Sequence, residues 1–229
     1  KGILVALQMR QERNPYGNAK YLGRTPIHLS EEQSAAMETL SALVDSGEAK
    51  AALLHGVTGS GKTCVMLEMI DRMLDRGRGV IVLLPEIGLT PQMLHIFHSR
   101  YGRRVAVIHS GLSQGQRQDA WQRIRKGQVH ICIGTRSAVF APCDELGLIV
   151  MDEEQEHTYR SEQSPRYQAH DIARFRAADE KALLLLASAT PSLESYHAAK
   201  SGRYHLFELR HRYGNVPLPE VELVDTREE

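Results

Sequence analysis

Residues 51–63 read AALLHGVTGSGKT. An apolar run of one buried strand's length passes directly into Gly56-x-x-x-x-Gly61-Lys62-Thr63, a complete phosphate-binding loop, and a helical pattern follows. The glycines let successive backbone N–H groups turn inward around an anion with no Cβ in the way, and the following helix aims its positive end at the same place. Gly56, Thr58, Gly59, Ser60, Gly61, Lys62 and Thr63 are therefore the expected nucleotide contacts. Lys62 would reach the β- and γ-phosphates of ATP, and Thr63 would offer its hydroxyl to Mg²⁺. A glycine-rich turn that only joins strand to helix is the plain alternative, and it leaves the filled pattern unexplained.

The chain has 229 residues, enough for one large α/β domain or two small ones, and 42% hydrophobic residues can fill a substantial core. Lys+Arg and Asp+Glu number 28 each, so bulk charge points to no polyanion, membrane or acidic substrate. Polyanion binding, if present, must come from local placement. Cys64, Cys132 and Cys143 show neither C-x-x-C spacing nor an even disulfide framework, which predicts core thiols in a reducing, cytoplasmic setting and no zinc site in this stretch. No apolar run reaches membrane-spanning length, so no membrane association is expected. The chain begins at Lys1 and stops in the charged run Arg227-Glu228-Glu229, the expectation being a piece of a longer polypeptide.

Working outward from the loop, residues 8–28 read as a linker or an arm over the surface, assigning 1–28 to an upstream arm and 29–229 to the domain. Ser30 and Gln33 form a capping box, and Met37, Leu40 and Val44 mark one apolar helix face ending near Gly47. Val80–Leu84, Val105–Ile108, Val129–Ile133, Leu148–Met151 and Leu183–Leu186 are further apolar strands. Helices are predicted from Thr90-Pro91, from the capping box Ser113/Gln116, over Gln168–Ala178 and over Ser192–Lys200. Strands apolar throughout, alternating with helices, predict an α/β fold: a doubly wound, mostly parallel sheet with helices on both faces. Ligands in such sheets sit at the carboxyl ends of the strands. Residues 56–63, 85–91, 134–137, 152–155 and 188–192 all follow strands and should gather along that edge.

Asp152 and Glu153 directly follow Leu148-Ile149-Val150-Met151. Neighbouring strand residues point opposite ways, so Asp152 is expected to hold Mg²⁺ while Glu153 orients or deprotonates an attacking water. Ser188 and Thr190 follow another strand. They would either cap the next helix or hydrogen-bond the two acids and couple movement at the phosphate to the adjoining surface.

Together these residues resemble a known family. GVTGSGKT at 56–63, DEEQ at 152–155 and SATPS at 188–192 look like motifs I, II and III of superfamily 2 helicases. LLPEIGLTPQ at 83–92, HSGLS at 109–113, IGTRSAVFAP at 133–142 and SATPSLES at 188–195 resemble the PriA family of bacterial primosomal helicases. The likeness covers about Leu29 to the end and implies the first of two RecA-like P-loop NTPase lobes. It implies a 3′ to 5′ DNA helicase acting in replication restart on single-stranded and forked DNA, with primosome and single-strand-binding proteins as partners. It further implies that zinc is held only in an absent C-terminal part, and that the second lobe supplies an arginine finger.

The resemblance also assigns roles. Gln33 matches the adenine-reading position, beside its capping role. Residues 85–92 and 134–137 match motifs Ia and Ib, making Thr90, Thr135, Arg136 and Ser137 candidate contacts to a DNA backbone. The plain alternative makes Thr90 a cap and Arg136 a surface ion pair. Residues 157–167 resemble an aromatic-rich loop that links DNA contact to ATP turnover, in which Tyr159 and Tyr167 would stack bases and Arg160 and Arg166 meet phosphates. Gln155 stands where the acidic motif often has His, and Pro165 where an aromatic often precedes Arg-Tyr; the second departure weakens stacking there. His95 and His98 have no third ligand in sequence reach and read as surface or satisfied core groups. Arg100, Arg103, Arg104 and Arg123, Arg125, Lys126 read as solvated helix ends. A related superfamily 2 translocase of RecG-like or repair-coupled type, a DNA-binding module with a silent ATP site, and a small-molecule kinase are the alternatives; the kinase lacks any lid or acceptor signature.

Overall fold

The computed structural model describes Arg13, Tyr16 and residues 20–215. The rest of the expected arm, and the chain after 215, lie outside the described residues. The first half alternates regularly: α1 (Glu31–Asp45), β1 (Lys50–Gly56), α2 (Lys62–Asp75), β2 (Gly79–Leu83), α3 (Pro91–Tyr101), β3 (Val105–Ile108) and α4 (Gln114–Arg125). After β4 (Ile131–Gly134) and β5 (Leu146–Asp152) a two-strand hairpin intervenes, β6 (Arg160–Ser161) with β7 (Tyr167–Gln168). The chain closes with α5 (Ala169–Asp179), β8 (Leu183–Ser188), α6 (Leu193–Lys200) and β9 (His205–Leu209). Seven strands form one sheet in the order β3-β4-β2-β5-β8-β1-β9, and every pairing in it is parallel.

Strand alternation builds two cores from one sheet. Leu54, Val80, Val82, Val107 and Val150 face α1, α2 and α3, whereas Leu53, Ile81, Leu83, Ile149 and Met151 face α4, α5 and α6. The doubly wound architecture read from the sequence is the one observed. Three predicted helix starts have the expected chemistry. Ser30 and Ser113 each complete a capping box with Gln33 and Gln116, and the Thr90 hydroxyl caps α3 at Met93 N, 3.2 Å away, with Pro91 following.

Sequence reading missed β9. His205–Leu209 lies at the edge of the sheet beside β1 and is only partly covered, so it carries His205 and Glu208 and lacks the unbroken apolar run used to find the other strands. Residues 20–28 lie over α2 and α3. Leu22 N donates to Ser99 O at 2.7 Å, and Arg24 pairs with Asp75 at 2.6 Å. No helix among the described residues is long and apolar enough to cross a membrane.

Of the basic clusters, Arg103, Arg104, Arg125 and Lys126 are exposed as expected, but Arg100 and Arg123 are not. Arg100 is 7% exposed, pairs with Asp71 of α2 and donates to Thr25 O at 2.7 Å. Arg123 is also buried and donates to Arg103 O at 2.8 Å. Burying a guanidinium requires a partner, and the partner of Arg100 comes from another helix, out of reach of a local sequence pattern. Removing one member of such a pair leaves the other charge buried. Asp71→Ala should therefore cost about 3–5 kcal/mol of stability, while Asp71→Ala combined with Arg100→Met should recover most of it. Urea denaturation of both proteins checks this, and equal losses would refute it.

Candidate functional site

The site begins where β1 ends. Gly56 is buried, and a Cβ there would stand 2.5 Å from Ser60 Oγ and 3.2 Å from Lys62 Cγ, so only glycine lets the loop fold back so tightly. Gly61 caps α2 in the left-handed region at φ 78°, and no side chain caps this helix. The first N–H groups of α2 are thus left to a ligand, at the positive end of the helix dipole. Ser60 Oγ is buried and has no hydrogen-bond partner among the described residues. Lys62 is 9% exposed and its ammonium donates to Gly56 O at 2.8 Å. Burial lowers the Lys62 pKa, against the opposing pull of the Glu153 and Asp152 carboxylates. Uncapped helix end, unpaired hydroxyl and buried ammonium fit a polyphosphate.

Gln33 fastens this loop to α1. Its Oε1 accepts from Ser30 N at 2.9 Å, its Nε2 donates to Ser60 O at 2.8 Å, and it is fully buried. Capping is therefore established by geometry, and the side chain stands against the phosphate loop.

Asp152 is the last residue of β5, in register with Ala187 of β8. Its carboxyl is pushed up to about 6 by burial first and then by the Glu153 charge, while Glu153 N–H and Lys62 pull it the other way. Glu153 has left the strand, with φ 45°, a left-handed conformation uncommon for a non-glycine residue. The two acids are separated by this turn, and strand alternation, the expected cause, is not what parts them. Asp152 Oδ1 accepts from Glu153 N at 3.1 Å.

Ser188 and Thr190 do not bond the acids as expected. The Ser188 hydroxyl donates to Gln155 Oε1 at 2.5 Å, Gln155 Nε2 donates to Glu153 Oε2 at 3.1 Å, and Thr190 N donates to Ser188 Oγ at 2.9 Å. Ser188 lies one residue past the register partner of Asp152, so the amide of Gln155 spans the gap. Glu154 was missed altogether. It is 1% exposed and accepts from Ser192 N (2.6 Å), Ser192 Oγ (3.1 Å) and Ser195 Oγ (2.9 Å), with His170 Nε2 at 3.3 Å. These donors hold its carboxyl below the usual range against the opposing effect of burial.

A phosphate loop, two acids and a hydroxyl segment on adjoining strands thus share one sheet edge. The sequence profile of DEAD/DEAH box helicases matches residues 30–199. The chain belongs to the DEAD/DEAH box helicase family. Among curated relatives, the replication restart protein PriA of Bacillus subtilis is 47% identical over 229 residues, all of this chain and 28% of that protein. PriA of Synechocystis is 42% identical over 231 residues, 99% of this chain and 27% of that one. The chain therefore spans little more than a quarter of the length of these relatives. Among solved structures, RecG bound to a three-way DNA junction superposes with a TM-score of 0.60 at 22% identity, over 81% of this chain and 24% of that one. The helicase domain of Pyrococcus furiosus Hef does so at 0.53 and 18%, over 79% and 38%. These likenesses show the fold, a RecA-like lobe.

On this helicase lobe the expected DNA contacts meet mixed outcomes. Thr90 is exposed but its hydroxyl caps α3. Thr135 is buried and Ser137 half-buried. Arg136 lies 3.4 Å from Glu86 and donates to Thr158 O at 3.2 Å, the ion-pair alternative. Tyr167 packs edge-on against Phe140, an exposed ring the sequence reading overlooked, with centroids 5.0 Å apart. Arg166 is exposed and donates to Glu162 O at 3.3 Å.

Tyr159 cannot stack a base where it stands. It is 1% exposed, and its hydroxyl donates to Asp152 O (2.6 Å) and lies 2.9 Å from Leu83 O. A 3-10 turn over His157–Tyr159 folds the ring beneath the sheet edge, where it braces two strand ends. His98 is a core group, stacked on Tyr16 with its Nε2 unpartnered among the described residues, and so not the satisfied group expected. No cluster of three or more His, Cys, Asp or Glu suited to a metal occurs among the described residues. A magnesium ion here would take Thr63, Asp152 and ligand oxygens, as that ion usually does.

The raised Asp152 carboxyl has a sign that can be worked out. A group whose folded pKa lies above its ordinary 3.8 favours the fold fully below that value, and the contribution is lost as pH rises through about 6. Asp152→Asn should therefore match wild type below about pH 3.5 and exceed its stability by about 3 kcal/mol at pH 7.5 without nucleotide or metal. Urea midpoints across this range test it. A pH-independent difference would be the contrary result.

Proposed function

We propose that this chain is the ATP-binding lobe of a PriA-type helicase, which in the complete protein couples ATP hydrolysis to 3′ to 5′ DNA unwinding and replication restart. Single-stranded and forked DNA are the proposed substrates, the primosome and single-strand-binding proteins the proposed partners, and the cytoplasm the setting. One observation carries the reading: an uncapped helix end with a buried lysine, electrostatically coupled to Asp152 and Glu153. The identity of the chain as a whole to the PriA relatives supports the same reading.

Bound Mg·ATP supplies a γ-phosphoryl group for transfer to water. The ammonium of Lys62, released from Gly56 O, would neutralise phosphate charge. Thr63 and Asp152 would hold the metal. The Glu153 carboxylate would orient the attacking water and accept its proton. Gln155 and Ser188 then tie the position of Glu153 to residues 188–192, which is the coupling route we propose. The exposed Thr90 edge, Arg136, Arg166 and the Phe140–Tyr167 pair would meet a single strand through phosphate contacts and ring faces. The arginine that completes charge neutralisation belongs to the second lobe, so the 229 residues alone should bind Mg·ATP weakly and hydrolyse it poorly.

In the complete polypeptide, Lys62→Ala should lower DNA-stimulated phosphate release by on the order of 100-fold or more, measured with and without single-stranded DNA. Retention of function would leave a DNA-binding module with a silent ATP site. Ser188→Ala should keep nucleotide affinity while DNA stimulation falls by about tenfold, a loss of roughly 1.4 kcal/mol; full stimulation in that variant would rule out the Gln155 route.

A further inference from the structure

We propose that Tyr213 provides the base-stacking face of the nucleotide site. The inference rests on the ATP reading above and extends it to a residue outside every motif already discussed.

Topology puts it there. β9 runs parallel to β1 with Leu209 in register with Gly56, and Val57 N donates to Leu209 O at 3.1 Å. The chain leaving β9 therefore emerges beside the phosphate loop leaving β1. It then crosses the mouth of that loop. Arg210 N and His211 N donate to Glu32 Oε2 at 3.0 and 3.3 Å, and His211 Nδ1 lies 2.7 Å from Glu32 Oε1, which anchors the crossing to the first turn of α1. Tyr213 N donates to Gly59 O at 2.9 Å, and the Tyr213 hydroxyl donates to His28 O at 2.9 Å.

Ring, loop and Gln33 share one wall. A Cβ built on Gly61 would lie 3.6 Å from Tyr213 Cδ2 and 2.3 Å from Gln33 Nε2. Tyr213 nevertheless remains 44% exposed, which leaves ring surface for a ligand beside the exposed Thr58 and Gly59 of the loop. Arg212 adds a second pointer. Its Cγ, Cδ and Nε stand 3.8 to 4.0 Å from a Cβ built on Gly59, and its Nε is buried without a hydrogen-bond partner among the described residues. An open aromatic face and a cation with an unpaired N–H on the rim of an anion cradle suit a nucleoside polyphosphate: the ring takes the base and the cation the charge.

The plainer role, fastening β9 to the loop, needs only the backbone bonds from Arg210, His211 and Tyr213. It does not call for an aromatic ring. The two roles differ in which part of the ligand they affect.

Calorimetric titration of the 229-residue chain with Mg·ATP and with Mg·tripolyphosphate separates them. Tyr213→Ala should weaken Mg·ATP about tenfold, the usual scale for loss of a stacked base, and leave Mg·tripolyphosphate unchanged. Tyr213→Phe, which keeps the ring and loses the bond to His28 O, should bind both as wild type does. An alanine variant that binds Mg·ATP normally, or that loses both ligands equally, overturns the proposal. Wild-type protein that binds neither ligand, with Lys62→Ala indistinguishable from it, would instead sink the phosphate-loop reading and this inference with it.

Discussion

The amino end of α2 is the constraint around which the rest is arranged. A helix start buried at a sheet edge presents several N–H groups with no intrahelical acceptor, and here a glycine in the left-handed region stands where a capping side chain would normally answer them. Such an end is stable only if its surroundings hold the loop in shape while leaving the donors open. Three elements do so from different sides. Gln33 of α1 grips Ser60 O, Leu209 of β9 receives Val57 N, and the segment after β9 returns to Gly59 O. The glycines permit this loop; tertiary contacts select it.

The acidic segment after β5 ties together the strand ends beside that loop. Glu153 reaches Ser188 through Gln155, while its neighbour Glu154 turns inward and gathers Ser192, Ser195 and His170. Residues 188–195 are consequently held at both ends by two consecutive carboxylates. A shift of Glu153 cannot be absorbed by slack in this region, because Glu154 is fully enclosed and its oxygens are already committed to hydroxyl and N–H donors. That rigidity is what the proposed coupling requires and what a solvated acidic turn lacks.

What could be read in advance follows the range of the signal. Strand, loop and capping boxes are local patterns, so β1, the Gly56–Thr63 loop and the starts of α1, α3 and α4 were legible from spacing alone. Two of the failures depend on distant residues. Tyr159 sits in a polar stretch and reads as an exposed aromatic, but the strand ends at Leu83 and Asp152 supply carbonyls that draw its hydroxyl inside. Arg100 reads as a solvated helix end because Asp71, its partner, lies on α2. Glu154 has no spacing signal that separates it from Asp152 and Glu153. β9 escaped because an edge strand is covered on fewer sides and need not be apolar throughout.

Several local conflicts meet at the rim where the phosphate loop and the acids lie. Asp152 is pushed up to about 6, Lys62 is pulled down by burial, Glu153 adopts a positive φ, and Ser60 Oγ lacks a partner among the described residues. Burial of the acid, the ammonium and the hydroxyl is unfavourable for the protein alone, and the Mg·ATP proposed above would relieve all three: a metal for the acid, phosphate oxygens for the ammonium and hydroxyl. Against them stands a seven-stranded parallel sheet with apolar cores on both faces, whose central strands are almost wholly buried. A binding site preorganised for charge requires such an excess of stability elsewhere, since its donors and acids must already be in place before the opposite charges arrive. The same edge would be poorly explained as a structural turn, for nothing in turn formation calls for a desolvated acid beside a buried ammonium.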